Sequence, residues 1–244
     1  LVCLGSPFGR PYALMESEEG DSLFMVSDTL LFQTLKDSIV SDSIISRKMK
    51  GFSDVRIYGN SIQAICDSLD YSELDSIFTL YGDPVAWSDS SQFSSMYMQV
   101  QMANDAVDRM ILSNKAFVIN STDLIFFNQM KGRRIDVVFK ADTINHLTVN
   151  GNVESIYFIQ DEEDAYVGMN KMLSANMKMF LSENKVKRLT FFQQPDGTTI
   201  PMKLVGSNPE KLSDFNWDLT YRPTSFETLC MIEKARRAKP VEEE

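Results

Sequence analysis

The stretch that decides the fold is residues 135–151, which read Ile135-Asp-Val-Val-Phe139-Lys-Ala-Asp142-Thr-Ile-Asn-His-Leu147-Thr-Val-Asn-Gly151. Apolar residues recur at every second position in its first half and again near its end, and a short polar segment lies between. Because successive side chains of a β-strand point to opposite faces, each apolar run is predicted to be a strand with one apolar face. The polar segment predicts the reversal that joins them. We therefore expect an antiparallel pair of strands here.

The same arrangement recurs along the chain. Strands are predicted to pair across short polar turns within residues 67–80, 96–112 and 177–191. A strand at 22–28 has its partner delayed until Val55 by an inserted stretch. About five two-strand units result, which is typical of repeat architectures. Since helical periodicity is absent from this region, the sequence predicts an all-β fold of repeated antiparallel strands.

Each strong apolar pair is followed by a residue that marks a bend. Gly or Asn follows three of these pairs, at Gly82, Asn114 and Gly151, and Gln193 follows the fourth. Such positions suit a turn of the backbone or a positive φ. We therefore predict that the chain bends at these four residues.

A helix is predicted only near the C-terminus, where Thr224-Ser-Phe-Glu227 has the form of a capping box. We divide the chain into three parts on this basis. Residues 1–22 are interpreted as a lead-in, a truncated upstream repeat. Residues 23–206 are the β-repeat domain, and residues 207–244 are a closing segment with a short helix and a charged tail.

Composition narrows the possible functions. The chain has 24 Lys plus Arg against 34 Asp plus Glu, a formal net charge of −10. Nucleic-acid binders and polybasic membrane anchors both need a cationic surface, so this balance argues against them.

The cysteines Cys3, Cys66 and Cys230 are far apart and odd in number, and His146 is the only histidine. Neither a zinc site nor a disulfide framework is therefore predicted.

No catalytic motif is found in the sequence. A nucleophilic triad needs an oriented base, and His146 is predicted to lie on the exposed strand face opposite Leu147 and Val149. We predict no catalytic residue, no metal site and no cofactor. A carbohydrate-active enzyme stays as a weak alternative, which requires carboxylates clustered on one outer face.

The candidate functional feature is the apolar strand face. It consists of Phe78, Leu80, Met96, Met98, Met110, Leu112, Leu147, Val149, Met177, Met179, Leu189 and Phe191. One interpretation is a closed core between two sheet faces. The other is an interior that stays partly open and takes up apolar chains, which the adaptable thioether of Met favours. Edge strands at both ends would be able to pair with another copy or another protein.

Several strings resemble a known family. They are Asp75-Ser-Ile-Phe-Thr-Leu-Tyr-Gly-Asp-Pro-Val-Ala-Trp87, Asn128-Gln-Met-Lys-Gly132, Val149-Asn-Gly-Asn-Val-Glu-Ser-Ile-Tyr-Phe158, Lys185-Val-Lys-Arg-Leu-Thr-Phe191 with Gln194-Pro-Asp-Gly197 and Pro201-Met202, and Phe215-Asn-Trp217 with Arg222-Pro223. Together they resemble the repeats and closing segment of OstA-like proteins, the organic solvent tolerance family that includes LptA. The long Bacteroidetes-type members are the most similar. The resemblance covers about residues 20 to 223.

The resemblance implies a β-jellyroll of the β-taco kind, with folded-over strands around a hydrophobic groove. It implies a non-enzymatic, periplasmic, outer-membrane-associated carrier that shields the lipid A acyl chains of lipopolysaccharide. It also implies partners among lipopolysaccharide transport proteins, or self-assembly through edge strands. The alternative that we keep is a structural β-repeat scaffold with a closed core, which mediates protein–protein assembly only.

Overall fold

The structure is a computed structural model that describes residues 2–5, 9–16, 22–36, 45–104, 106–182, 185–206 and 209–231. Residues 232–244, which include the predicted charged tail, lie outside the described residues. The elements in chain order are β1 (Val2–Gly5), β2 (Pro11–Glu16), β3 (Ser22–Val26), β4 (Thr29–Lys36), β5 (Ile45–Tyr58), β6 (Gln63–Ser72), β7 (Ile77–Tyr81), β8 (Val85–Ser88), β9 (Ser91–Ser94), β10 (Tyr97–Ala103), β11 (Ala106–Asn120), β12 (Asn128–Lys140), β13 (Thr143–Gln160), β14 (Tyr166–Ser182), β15 (Lys185–Phe192), β16 (Asp196–Pro201), a 3-10 turn (Met202–Leu204) and α1 (Phe226–Met231). The all-β prediction is confirmed.

The strand pairs follow the turns that the sequence predicted. β6 pairs with β7, β10 with β11, β12 with β13 and β14 with β15, all antiparallel. β3 pairs with the end of β5, so the delayed partner at Val55 is also confirmed. The inserted stretch forms β4 and the start of β5, which pair with each other. The alternation of apolar residues was therefore a reliable guide to local pairing.

The sheet is folded over into two layers because its long strands change partners halfway. The first layer contains β4, β7, β10 and β15, together with one half of each of β5, β6 and β11–β14. The second layer contains β1–β3, β8, β9 and β16 with the other halves of the same long strands. Alternation predicted the first-layer halves of β6 and β11–β14 and, in the second layer, β3 with the end of β5. It did not show that the long strands continue from one layer into the other. The result is a folded-over antiparallel jellyroll.

The fold line is made by backbone bends. Register shifts interrupt the ladders at residues 52–55, 113–116 and 150–153. The bends that were predicted are confirmed, since Gly82, Asn114, Gly151 and Gln193 have φ of 76°, 61°, 78° and 59°. In all four cases the following residue also has positive φ. Two left-handed residues in succession turn the chain sharply, so each strand or connection crosses from one layer to the other there.

The C-terminal segment, residues 209–231, crosses the outer face of the second layer as a strap. Three buried glutamines of that face, Gln63, Gln92 and Gln129, hydrogen-bond to it. Gln129 accepts from the Leu212 backbone N–H at 2.8 Å and donates to the Glu210 carbonyl at 3.3 Å. Apolar contacts with two separate clusters, which contain Leu212, Phe215 and Trp217 and then Phe226 and Leu229, complete the attachment. The outer face of the second layer is therefore covered.

The strap ends in the predicted short helix, whose cap lies one residue later than expected. Ser225, rather than Thr224, is the capping residue: its Oγ accepts from the Thr228 N–H at 3.1 Å. Thr228 Oγ1, rather than Glu227, accepts in return from the Ser225 N–H at 2.8 Å. The expected cap was wrong because two adjacent hydroxyl residues both fit the pattern and only the backbone geometry separates them. Within the described residues no helix is long and apolar enough to cross a membrane.

Candidate functional site

Eleven of the twelve predicted interior residues lie on the inner face of the first layer, in two cross-strand rows. One row joins Phe78, Met110, Leu147, Met179 and Leu189, and the other joins Leu80, Met98, Leu112, Val149, Met177 and Phe191. The predicted stripe is thus one continuous surface. Whether it binds lipid remains a prediction, since position alone does not establish binding.

Met96 is the exception, and its placement on the inner face was wrong. Its side chain is 48% exposed. Met96 lies at the corner between β9 in the second layer and β10 in the first, where the alternation of a strand does not yet apply. Its backbone N–H donates to the Asn114 carbonyl at 3.0 Å, which fixes this corner beside the bend of β11.

Most of the stripe is closely packed. Leu80, Met98, Met110, Leu112, Val149 and Met177 are fully buried within a single core cluster formed by both layers. Tyr71 and Phe78 stack at 4.4 Å between ring centroids in the same region. The part of the interior next to the fold line therefore matches the closed-core interpretation. Leu189 and Phe191 are only partly buried against this cluster, because β15 is an edge strand among the described residues.

A cavity of about 570 Å³ opens on the side away from the fold line, between β11–β15 of the two layers. We call this opening the mouth; hairpin tips at 140–143 and 161–165 face each other across it. Its volume falls in the range of small-molecule sites. Two predicted residues, Leu147 and Met179, line it, and other apolar wall residues were missed: Val118, Phe126, Met130, Ile144, Leu181 and Val186. The interior is therefore open between these strands.

The missed wall residues carried a signal of their own. Val118 follows the bend at Asn114 within a continuous apolar run, Ala116-Phe-Val118-Ile119, and Met130 lies in the next strand along the chain. This pattern predicts a strand, but not that it faces Leu147 across a gap. Only the fold-over of β11 and β12 brings these residues to the cavity.

The rim of the mouth is mostly acidic. Its carboxylates are Asp89, Asp142, Asp161, Glu162 and Asp164, and its cations are Lys185 and Lys187. Lys185 Nζ lies 2.5 Å from Asp164 Oδ1, and this ion pair joins the first layer to the second across the mouth. The acidic segment 160–164 forms a tight exposed turn, in which Asp161 Oδ1 accepts from the N–H of Glu163 and of Ala165.

The wall of the second layer includes a second ordered loop. Asp123 accepts hydrogen bonds from the N–H of Ile125 and Phe126, both at 2.9 Å, and from the Tyr166 hydroxyl at 2.8 Å. Burial raises the pKa of Asp123, but these hydrogen bonds outweigh it and lower the pKa below its ordinary value. Burial and the bond to Asp123 raise the pKa of Tyr166 to about 12. This corner of the cavity is therefore held in one arrangement.

A smaller cavity of about 250 Å³ lies toward the N-terminal strands. It is lined by tips of both layers, including Leu23, Ile62 and Met102, and Asp142 borders both cavities. The two openings therefore lie along the same side of the fold.

Among the described residues, neither His146 nor the cysteines line either cavity. Among them no group of three or more His, Cys, Asp or Glu is arranged to hold a metal ion. His146 is partly buried on the outer face of the first layer beside Phe180, at 5.6 Å between ring centroids. Burial and the charges of Lys178 and Arg109 lower its pKa. Cys66 and Cys230 are buried, and the Cys66 thiol donates to the Ser68 carbonyl at 3.3 Å.

A solved structure similar to this chain is LptH, described as the LptA homologous periplasmic component of the conserved lipopolysaccharide transport device from Pseudomonas aeruginosa. The identity is 12%, the TM-score is 0.43, and the match covers 56% of this chain and 93% of LptH. No protein-family model matches the chain, and a search of curated proteins finds no match either. The fold of this chain is an all-β, folded-over jellyroll, and a cavity opens between its two layers.

Proposed function

We propose that this protein is a non-enzymatic, periplasmic carrier that shields the acyl chains of lipopolysaccharide on their way to the outer membrane. The single observation that carries the proposal is the cavity between the layers, with Leu147 and Met179 in its wall. The resemblance of the sequence repeats to OstA-like proteins supports lipopolysaccharide as the cargo and the periplasm as the compartment.

Burial of hydrocarbon supplies the affinity in this proposal. The protein has a net charge of −10 and an acidic rim, so attraction to phosphate groups cannot hold the ligand. Each CH₂ group removed from water contributes about 0.8 kcal/mol. Apolar wall residues from both layers, such as Met130 and Met179, supply the surface for it.

Assembly through strand edges belongs to the same proposal. Within the described part of the chain, the first layer ends in β4 on one side and β15 on the other. Leu31, Phe32 and Phe192 on these strands are 43%, 37% and 47% exposed. Unpaired backbone beside exposed apolar side chains favours pairing with a further strand, from another copy or from another transport protein.

Photocrosslinking in cells tests the carrier. A photoreactive residue is placed at Leu147 or Met179, and at Thr148 or Lys178 as matched controls on the opposite face of the same strands. The carrier predicts capture of lipopolysaccharide from the two inward positions only. Equal capture from inward and outward positions, or none from any, would contradict it.

The closed scaffold is kept as a second candidate because much of the stripe is fully buried. Two aspartate substitutions separate the candidates. Leu112→Asp buries a charge in the packed region and should abolish cooperative unfolding in either case. Leu147→Asp places the charge beside the cavity; the carrier predicts that this variant still melts cooperatively and loses lipid binding. A scaffold predicts that both variants unfold.

A further inference from the structure

The cavity has two chemically different walls. Inside its polar rim, the wall from the first layer is apolar and includes Ile144, Leu147 and Leu181. The wall from the second layer becomes polar toward the mouth, where Asn120, Asn128 and Tyr157 line it. A purely hydrocarbon ligand would leave the second wall unmatched, so this site fits an amphiphile that carries a polar group near one end of its chain.

The two amides of the polar wall are already engaged. Asn120 Nδ2 donates to Ser90 and Ser91, at 3.1 Å to each hydroxyl oxygen. Asn128 Oδ1 accepts from the Phe158 N–H at 2.9 Å, and its Nδ2 donates to Asn120 Oδ1 at 3.4 Å. These side chains shape the wall, but the amide nitrogen and oxygen of each already have hydrogen-bond partners within the protein.

The Tyr157 hydroxyl differs from its neighbours. Among the described residues no group hydrogen-bonds to it, although the side chain is half-buried in the cavity wall. Burial raises the pKa of Tyr157, so the phenol stays protonated at neutral pH and is available as a donor. Tyr166, which lines the same cavity, already donates to Asp123 at 2.8 Å.

A second hydroxyl on this inner face also lacks a partner. Ser155 is 2% exposed, and its Oγ has no hydrogen-bond partner in the part of the chain that the structure describes. It lies two residues before Tyr157 on the same face of β13, and Met130, its neighbour on β12, lines the cavity. Since buried hydroxyls are normally paired, this face carries a polar group whose hydrogen-bonding capacity is unused.

The charge of the rim indicates what the polar group is. Five carboxylates and two lysines border the mouth, and one of the lysines is paired with Asp164. A phosphate at this position would meet an excess of negative charge. An uncharged acceptor, such as the carbonyl of an acyl linkage, meets no such repulsion and matches the donor of Tyr157.

We propose that the Tyr157 hydroxyl donates a hydrogen bond to the carbonyl oxygen of an ester- or amide-linked acyl group in this cavity. The linkage then lies at the mouth, while the chain extends along Leu147 and Met179. This inference rests on the proposed acyl-chain carrier and makes it specific for acylated amphiphiles over alkyl ones of the same length.

The test compares glyceryl monolaurate with 1-O-dodecylglycerol by titration calorimetry. Both probes are uncharged and carry one twelve-carbon chain, but only the first has a carbonyl. The wild type should bind the ester about five- to tenfold more tightly than the ether, the usual worth of one hydrogen bond. Tyr157→Phe should bind both probes with the affinity that the wild type has for the ether.

Tyr166→Phe is the matched control, because it removes a hydroxyl that is already engaged; it should keep the preference for the ester. If both probes bind and the wild type shows no preference, or if Tyr157→Phe retains it, the role of Tyr157 is overturned while the carrier stands. If neither probe binds the wild type, the carrier itself is overturned. The comparison of the two probes on the wild type tests the preference for the ester even if a variant fails to fold.

Discussion

Arg56 is a buried charge at the bend of β5, and its environment explains how the bend is held. The side chain is 2% exposed and forms a two-pronged pair with Asp54, at 3.0 Å from Nε and 2.8 Å from a terminal nitrogen. Arg10 contacts Asp54 and Asp28, both at 3.2 Å. Asp54 has φ of 51°, a conformation that Asp and Asn tolerate better than most residues. One carboxylate thus joins the bend to two arginines.

Asp54→Asn should lower the free energy of unfolding by about 3 kcal/mol, because it removes the charge that compensates a buried arginine. The substitution keeps a residue that accepts positive φ, so backbone strain does not contribute. Urea denaturation at neutral pH measures the change. Glu73→Gln, which alters the exposed pair with Arg47 at 3.9 Å, should cost less than about 1 kcal/mol. Equal losses in the two variants would contradict the assignment.

Asp136 sets a pH dependence on the outer face of the first layer. Hydrogen bonds from Arg134, at 2.8 and 2.9 Å, and the nearby Arg109 hold its pKa below the ordinary value of 3.8. The folded chain therefore binds this proton less readily than the unfolded chain. The resulting stabilisation is present above the ordinary pKa and is lost as the pH falls through the lowered pKa.

Asp136→Asn should therefore reduce the loss of stability between about pH 5 and pH 3, because the variant has no proton to take up at this position. The measurement is the slope of the unfolding free energy against pH. Arg134→Gln should flatten the slope in the same direction, since the main hydrogen-bond donor is then absent. A slope that neither substitution changes would exclude Asp136 as its source.

At the scale of elements, the strap depends on side chains that lie in register across the second layer. Gln63, Trp87, Gln92, Ile119 and Gln129 form one cross-strand row on the outer face. The strap crosses this row in the reverse order along the chain, from Leu212 near Gln129 to Arg222, which donates to Gln63 at 2.9 Å. An extended segment without a strand ladder obtains its hydrogen bonds from glutamine side chains instead.

Gln129→Ala should release the first part of the strap. The substitution leaves the Leu212 N–H and the Glu210 carbonyl without their partner and should cost about 2 kcal/mol. Hydrogen exchange should show loss of protection at residues 210–215, with β10 and the start of β11 unchanged. Asn176→Ala, which removes an exposed side-chain hydrogen bond at 3.2 Å, should leave the strap protected. Uniform loss of protection would mean that the strap is not a separate unit.

At the scale of the whole molecule, access to the cavity depends on the separation of the layers. The ion pair between Lys185 and Asp164 spans the mouth, and its side chains are 57% and 58% exposed. Exposed ion pairs contribute about 1 kcal/mol or less, so the pair can break without large cost. The fold line on the other side is packed, which leaves the mouth as the side that can widen.

Joining the layers covalently at this point should block uptake of an acyl probe. Asp164→Cys with Lys185→Cys, linked by a reducible bismaleimide in a Cys3→Ser background, should bind glyceryl monolaurate much more slowly until a reductant is added. Arg47→Cys with Glu73→Cys is the control, because that pair lies within the first layer and not across the mouth. Unchanged uptake by the linked protein would mean that the ligand enters elsewhere.

The sequence by itself determined the strands, their hairpin partners and the bends. Alternation from Ile135 to Val149 and the residues Gly82, Asn114 and Gly151 were sufficient, because strand faces and turn conformations depend on neighbouring residues. The same local rule placed eleven residues of the apolar stripe on one face. It failed at Met96, where the chain changes layers and the local pattern no longer determines the face.

The tertiary structure alone decided which part of the stripe is packed and which part is open. Leu112 and Leu147 have the same pattern in the sequence and are both buried, at 0% and 1% exposed, yet only Leu147 lines the cavity. The difference depends on what the second layer places opposite them, and those residues lie on other halves of the long strands. The partners of Gln129 in the strap are likewise 81 and 83 residues away. Contacts between residues so far apart in the chain follow from the global register of the folded sheet and not from any local period.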